Sequence, residues 1–298
     1  MPKNIKLFYY TKEANLGDLL NAHFNNLFSN VIIQEEQNIY TCESVFIGSL
    51  MQCFFSKKTL RLKIKYFLTS LFYKPLIIWG SGFLKEIPKQ YIAKRRFDIR
   101  ALRGKKTQQL LETLSGKKMH NVTLGDPGIL AELLVDKKYT KIYKVGIVPH
   151  YAELTQDIFQ KLANAIPKSI LINPQDNCLD NLKKIYQCEC ILSSALHGLI
   201  VADEMNIPNI RLIASDLIAD TQFKFEDYYS AYNINSHYFI DIRKKSLQEI
   251  LNLLTNNRKN DIFTTINENR SVSYEKVQTV KSNLLKSFPY KSEQKIKS

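Results

Sequence analysis

A chain of 298 residues with 45% hydrophobic and 23% charged residues has the balance of a folded globular protein, large enough for one big core or two ordinary ones. Its 42 Lys and Arg against 28 Asp and Glu leave a net charge of +14, which implies an anionic partner: nucleic acid, a membrane surface or acidic small molecules. No apolar run approaches the roughly 20 residues that span a bilayer, and the N-terminus, MPKNIKLFYY, lacks the apolar stretch of a secretory signal, so a cytoplasmic location is expected.

In the first half, short apolar runs alternate with helical patterns. Strands are expected over residues 5–10, 44–48, 75–79, 97–103 and 122–124, with helices over 19–28, 105–114 and 129–134. The stretch from Lys57 to Lys74 (KKTLRLKIKYFLTSLFYK) holds no acidic residue and interleaves Lys and Arg with Leu, Ile, Tyr and Phe. It reads as a basic amphipathic helix suited to anionic lipid, or equally as a solvated face over a buried one. No nucleic-acid module accompanies the charge, so nucleic acid is not an expected partner.

The polar, basic segment 135–144 marks a domain boundary. It gives an N-terminal domain over 1–138, a second over 139–265, and a basic C-terminal helix and tail over 266–298. After the boundary the alternation restarts. Strands are expected at 145–149, 169–172, 189–192 and 209–213, and helices at 155–165, 177–186, 198–205 and 245–254. Two such series predict an α/β protein with one parallel sheet per half and a cleft between the carboxyl ends of the strands.

Polar residues concentrate at those strand ends. Gly17 and Asp18 follow the first strand, where Gly admits a close ligand and Asp caps a helix or acts as a base. Gly80-Ser81-Gly82 suits phosphate contact weakly. Arg103-Gly104-Lys105-Lys106-Thr107 sets three cations against a helix start, an arrangement for phosphate or carboxylate. In the second half, His150, Asn173 and then Ser194, His197 and Gly198 close three successive strands. A histidine at a strand-to-helix junction is a candidate acid or base. Cys42, Cys53, Cys178, Cys188 and Cys190 form no zinc-spaced set, and Cys188 and Cys190 are expected to point the same way and pack; no metal is expected. There is no Walker loop, dinucleotide fingerprint, nucleophile elbow or H-E-x-x-H.

In order along the chain stand NLGDLLN (15–21), WGSGF (79–83), ALRGKKT (101–107), GDPGIL (125–130), VGIVPHY (145–151), INPQD (172–176), SSALHGLIVADEMNIPNI (193–210) and KFEDYYSAY (224–232). The set resembles the polysaccharide pyruvyl transferase family across residues 5–235. The resemblance implies two Rossmann-like domains facing a central cleft, similar to GT-B glycosyltransferases. It implies phosphoenolpyruvate as donor substrate, no further cofactor, and a saccharide or lipid-linked oligosaccharide acceptor that receives a cyclic pyruvate ketal. By the same resemblance His197 is the acid/base and Arg103 the donor grip, with His150 a second donor or proton-transfer residue. Family members often carry Arg or Ser just before the Leu-His pair; Ala195 stands there, so by the resemblance one donor contact is either missing or supplied by Lys105, Lys106 or Arg211. The expected location is peripheral, at the inner face of the cytoplasmic membrane. Two alternatives stay open: a GT-B glycosyltransferase using a nucleotide sugar, with Glu226 or Asp227 for its ribose, and a non-catalytic saccharide- or membrane-binding relative.

Overall fold

The computed structural model describes residues 2–13, 15–136, 139–255 and 261–290. In chain order the strands are β1 (Lys3–Leu7), β2 (Val31–Glu35), β3 (Ser44–Val45), β4 (Phe55–Lys57), β5 (Leu76–Trp79), β6 (Tyr91–Ala93), β7 (Phe97–Leu102), β8 (Thr123–Leu124), β9 (Tyr143–Val148), β10 (Ser169–Leu171), β11 (Cys188–Ser193), β12 (Asn209–Ile213) and β13 (Phe239–Asp241). The α-helices are α1 (Leu16–Ala22), α2 (Phe24–Leu27), α3 (Leu60–Phe72), α4 (Lys105–Ser115), α5 (Asp157–Ala165), α6 (Cys178–Tyr186), α7 (Leu196–Glu204), α8 (Gln222–Ser230), α9 (Leu247–Leu254), α10 (Ile262–Glu268) and α11 (Tyr274–Lys286).

Strands from the first half form a six-stranded sheet in the order β2-β1-β3-β5-β7-β8, and strands from the second a five-stranded sheet, β10-β9-β11-β12-β13. Every neighbouring pair in both is parallel. β4 and β6 make a separate antiparallel ribbon. Parallel sheets are covered on both faces, and runs such as LIIW in β5 and CILS in β11 supply the apolar side chains for that.

The strand orders fix where a ligand would sit. β1 lies between β2 and β3, and β9 between β10 and β11, so each sheet grows outward in two directions from its first strand. Such switch points open a crevice at the carboxyl ends of the strands.

Several local differences from the sequence reading have physical causes. The first strand occupies Lys3–Leu7, paired with Val31–Glu35, and the chain then leaves the sheet so that Tyr10 reaches the cleft. The expected helix over 19–28 divides at His23 into α1 and α2. Buried Asn21 donates to Gly17 O, Asp18 O and Ile47 O, and so ties the end of α1 to the loop after β3. Cys188 and Cys190 do not share a packing surface: Cys188 belongs to the core shared with the first half, Cys190 to the core on the other side of the second sheet. Cys188 begins its strand, and its Sγ turns back to Lys184 O at 3.1 Å.

The C-terminal basic segment packs as far as residue 290. Trp79 Nε1 donates to Leu284 O (3.2 Å) and Ser287 Oγ (3.1 Å), and the Phe288 ring stacks on Phe28 with centroids 3.8 Å apart. Lys281 pairs with Glu132 (3.0 Å) and with Glu204, so its charge is neutralised inside the protein. Lys291, Lys295 and Lys297 lie outside the described residues.

Candidate active site

A cavity of about 440 Å³ opens where the two switch points face each other. The first half lines it with Tyr10, Asp18, Ser49 and Gln52, and the second with His150, Tyr151, Ala195, His197, Thr221 and Lys224. A wider cleft of about 800 Å³ lies between α3, β6 and α4, but no Asp, Glu or His lines it. Proton-transfer chemistry therefore points to the smaller one.

His197 occupies the first turn of α7, directly after the SerSerAla corner that ends β11. Ser193 Oγ shapes this corner by accepting from Ala195 N and donating to Val148 O. The imidazole lies flat against α1: a Cβ placed on Gly17 would come within 2.1 Å of His197 Nδ1. On another side Gly128 approaches the ring, where an added Cβ would lie 3.4 Å from Cδ2. Its Nε2 faces Asp126 Oδ2 at 3.7 Å. Both atoms are buried and neither has a hydrogen-bond partner among the described residues, while Asp126 Oδ1 caps Gly128 N at 2.9 Å. The carboxylate is thus held rigidly behind the imidazole, where it would stabilise a positive ring.

Gly80 has φ 89°, a left-handed conformation natural only to glycine, and a Cβ there would meet Pro127 Cδ at 2.1 Å. The Gly80-Ser81-Gly82 loop thereby lets Asp126-Pro127 pack close. It does not line the cavity, and Ser81 Oγ donates to Gly48 O at 2.7 Å.

Three more titratable groups meet His197. Asp18 is the third residue of α1 and closes a capping box with Asn15: its Oδ2 accepts from the Asn15 backbone N while Asn15 Oδ1 accepts from Gly17 N. Burial raises the Asp18 pKa to about 6, against the lowering effects of His197, the Asn15 hydrogen bond and Lys224. His150 Nδ1 accepts from Ala152 N at 3.3 Å, and burial, then Lys224 and His197, lower its pKa to about 3. It is a neutral imidazole. Lys224, on the first turns of α8, is buried, and its pKa falls to about 7 because of burial first and the nearby positive charges of Arg103 and Arg211 second. Glu153 and Asp18 offset this only in part. The cavity floor is a poorly solvated cation, and an entering anion would satisfy it.

A profile of the polysaccharide pyruvyl transferase family matches residues 15–216. The chain belongs to this family. It is 30% identical over 244 residues to an uncharacterised protein of Acanthamoeba polyphaga mimivirus, covering 78% of this chain and 76% of that one. It is 27% identical over 153 residues to the succinoglycan biosynthesis protein ExoV of Rhizobium meliloti (strain 1021), covering 51% of this chain and 46% of ExoV. No solved structure matches it significantly.

Of the residues expected at this transferase's site, the fold brings Asp18, His150 and His197 to the cavity and sets Gly17 against the imidazole. The others do not line it. Arg103 is fully buried: Nε pairs with Asp227 Oδ2 (3.0 Å), Nη1 donates to Ser49 Oγ (2.7 Å) and Nη2 to Phe83 O. Asp227 also accepts from Thr107 N (2.8 Å) and Thr107 Oγ1 (2.7 Å). The α4 start does attract an anion, as its sequence suggests, but the anion is this internal carboxylate. Lys105 Nζ donates to Asn233 and Lys106 pairs with Glu226. Arg211 Nη1 donates to Gln222 Oε1 and adjoins His237 Nε2. None of these four cations lines the cavity. Ser194 Oγ accepts from His150 N (2.8 Å), Gly198 packs on Ser193 and Val148, and Asn173 O accepts from Asn181 Nδ2.

Sequence reasoning passed over Lys224 and Asp126 as site residues, although both fall inside quoted motifs. The available signal was their position: Asp126 between two glycines after β8, and Lys224 in a helix otherwise rich in Phe and Tyr.

Proposed function

We propose that this transferase moves the three-carbon unit of phosphoenolpyruvate onto two hydroxyls of a saccharide, forming a cyclic pyruvate ketal in the making of a surface polysaccharide. The observation that carries the reading is the meeting of buried Lys224 with His197, His150 and Asp18 in one cavity between strand ends. A donor with a phosphate and a carboxylate needs a cation, and ketal formation needs an acid and a base. The name of ExoV, a succinoglycan biosynthesis protein, supports the polysaccharide context.

In this scheme Lys224 holds the donor's anionic end, and its proton affinity rises as the charge arrives. His197, backed by Asp126, delivers a proton to the methylene carbon, which becomes a methyl group. The first sugar hydroxyl attacks the adjacent carbon and gives its proton to Asp18. Phosphate then leaves with the C–O bonding pair and takes up the proton held by Asp18, and the second hydroxyl attacks the same carbon and returns a proton to His197. The products are the ketal and inorganic phosphate. His150 donates from its Nε2–H to the donor, since its Nδ1 accepts from the backbone. Arg103 is a positioning residue, which fixes Ser49 at the cavity wall.

We assign the two parallel sheets to Rossmann-like domains over 1–138 and 139–265, arranged as in GT-B enzymes, with 266–298 as a third segment. A nucleotide-sugar reading fits less well, because Glu226 pairs with Lys106 and Asp227 with Arg103, leaving neither carboxylate open to a ribose. The test is incubation with phosphoenolpyruvate and lipid-linked saccharides, following phosphate release and mass gain on the sugar. His197→Ala should lower turnover about 100-fold or more with unchanged folding. Turnover of a nucleotide sugar with no reaction of phosphoenolpyruvate would overturn the assignment.

A further inference from the structure

Helix α3 is mounted with its apolar side outward. At 3.6 residues per turn, Leu60, Ile64, Phe67, Leu68, Leu71 and Phe72 share one face, and all six are exposed; Phe67 and Leu71 are each 62% exposed and Phe72 78%. The opposite face is the one that meets the protein, with Leu62, Tyr66 and Ser70 half-buried and Thr69 buried. Thr69 is buried and its Oγ1 donates to Lys94 O at 3.4 Å, while Ser70 O accepts from Arg96 Nη2 at 2.8 Å. A globular helix ordinarily buries its apolar stripe. Here the stripe has no cover among the described residues, and it is too continuous to be scattered surface hydrophobics.

Charge identifies what covers it. The stretch from Lys57 to Lys74, both included, holds six cations and no acidic residue. Arg61, Lys63 and Lys65 fall within or beside the stripe on the helix, and Lys57 and Lys58 precede it. Two such faces brought together would repel, which disfavours a second copy of this chain. An anionic bilayer offers the apolar interior and the negative headgroups together, and long Lys and Arg side chains can keep their charges at headgroup level while the stripe sinks. No helix among the described residues is long and apolar enough to cross a membrane, so α3 would lie in the interface plane.

We propose that α3 docks the protein on anionic lipid, with Leu60, Ile64, Phe67, Leu68, Leu71 and Phe72 entering the interface. The site follows the cavity closely in sequence: Gln52 and Cys53 line the cavity and only β4 and a short turn separate them from α3.

Co-sedimentation of the full chain with phosphatidylcholine vesicles, with and without phosphatidylglycerol, tests this without donor or acceptor and so independently of the transferase reading. Binding should require phosphatidylglycerol and weaken with added salt. Phe67→Glu/Leu71→Glu should bind at least about tenfold more weakly with an unchanged melting temperature, because both side chains are exposed. Lys57→Glu/Lys58→Glu should weaken binding too. No binding by the natural chain, or equal binding by the Phe67→Glu/Leu71→Glu variant, would overturn the proposal. So would a dimer without vesicle affinity that this variant converts to monomer, which would assign the face to a second copy.

Discussion

Arg103 and Asp227 form an ion pair in which both side chains are fully buried, with Nε and Oδ2 3.0 Å apart. It joins the loop after β7 to α8, the helix that carries Lys224, and Gly104 lets the backbones come close: a Cβ there would lie 1.7 Å from Asp227 O. Removing one partner strands a buried charge, which costs about 3–5 kcal/mol. Arg103→Met and Asp227→Asn should each lower urea stability by that order, and should reduce transfer through movement of α8. Were Arg103 instead a direct donor grip, Arg103→Met would raise the KM for phosphoenolpyruvate and leave the urea midpoint nearly unchanged.

The α/β class, two parallel sheets and strand-end placement of Asp18, His150 and His197 were legible because hydrophobic runs and their polar stops are local. The partner of Arg103 was not. Asp227 stands more than a hundred residues away, and nothing in the sequence says that a carboxylate from α8 fills the α4 start. The direction of α3 was equally hidden: periodicity gives an apolar stripe but not the side on which the protein lies. Lys224 looked like one lysine among many until packing removed its water.

Gly17 should tolerate substitution poorly for function and well for stability. Alanine would place a methyl 2.1 Å from His197 Nδ1, so the imidazole must move away from Asp126. In a helix, alanine is favoured over glycine by about 1 kcal/mol, which offsets part of the clash. Gly17→Ala should therefore melt within a few degrees of the natural chain while turnover drops at least about tenfold. Natural turnover in this variant would show that the position of His197 does not matter.

Trp79 is the only tryptophan, so its fluorescence reports the docking of α11. Phe288 packs its ring edge-on to the indole at 4.9 Å and stacks on Phe28. Phe288→Ala should red-shift the emission and cost about 2–3 kcal/mol, since the ring is partly exposed. An unchanged spectrum would mean that the C-terminal segment contributes nothing to this core.

Lys224 should cost stability. Its folded pKa, about 7, is below its ordinary 10.5. Between these values the unfolded chain holds a proton that the native protein has released, so stability from this group rises with pH across that window. Below about 7 the full penalty of a buried charge remains. Lys224→Met should raise stability by about 2 kcal/mol near pH 6 and by little above pH 10.5, while abolishing donor binding. A loss of stability at pH 6 would contradict the assignment of Lys224 as a desolvated cation.

The same two groups set a pH profile for transfer. As base, Asp18 must be ionised, and burial places its pKa at about 6. As donor grip, Lys224 must be charged, and burial with the Arg103 and Arg211 charges places its pKa at about 7. A plot of kcat/KM for phosphoenolpyruvate, which reports the free enzyme, should be a narrow bell with limbs near these values. The bound donor's negative charge stabilises the ammonium, so the alkaline limb of kcat should lie higher than that of kcat/KM. Arginine keeps its charge throughout this range, so Lys224→Arg should change the alkaline limb by removing the lysine's part in it, even where it lowers the rate, and leave only the requirement for the proton that His197 delivers. Asp18→Asn should remove the acid limb together with most of the activity. An alkaline limb that persists unchanged in Lys224→Arg would belong to another group and would take the donor grip away from Lys224.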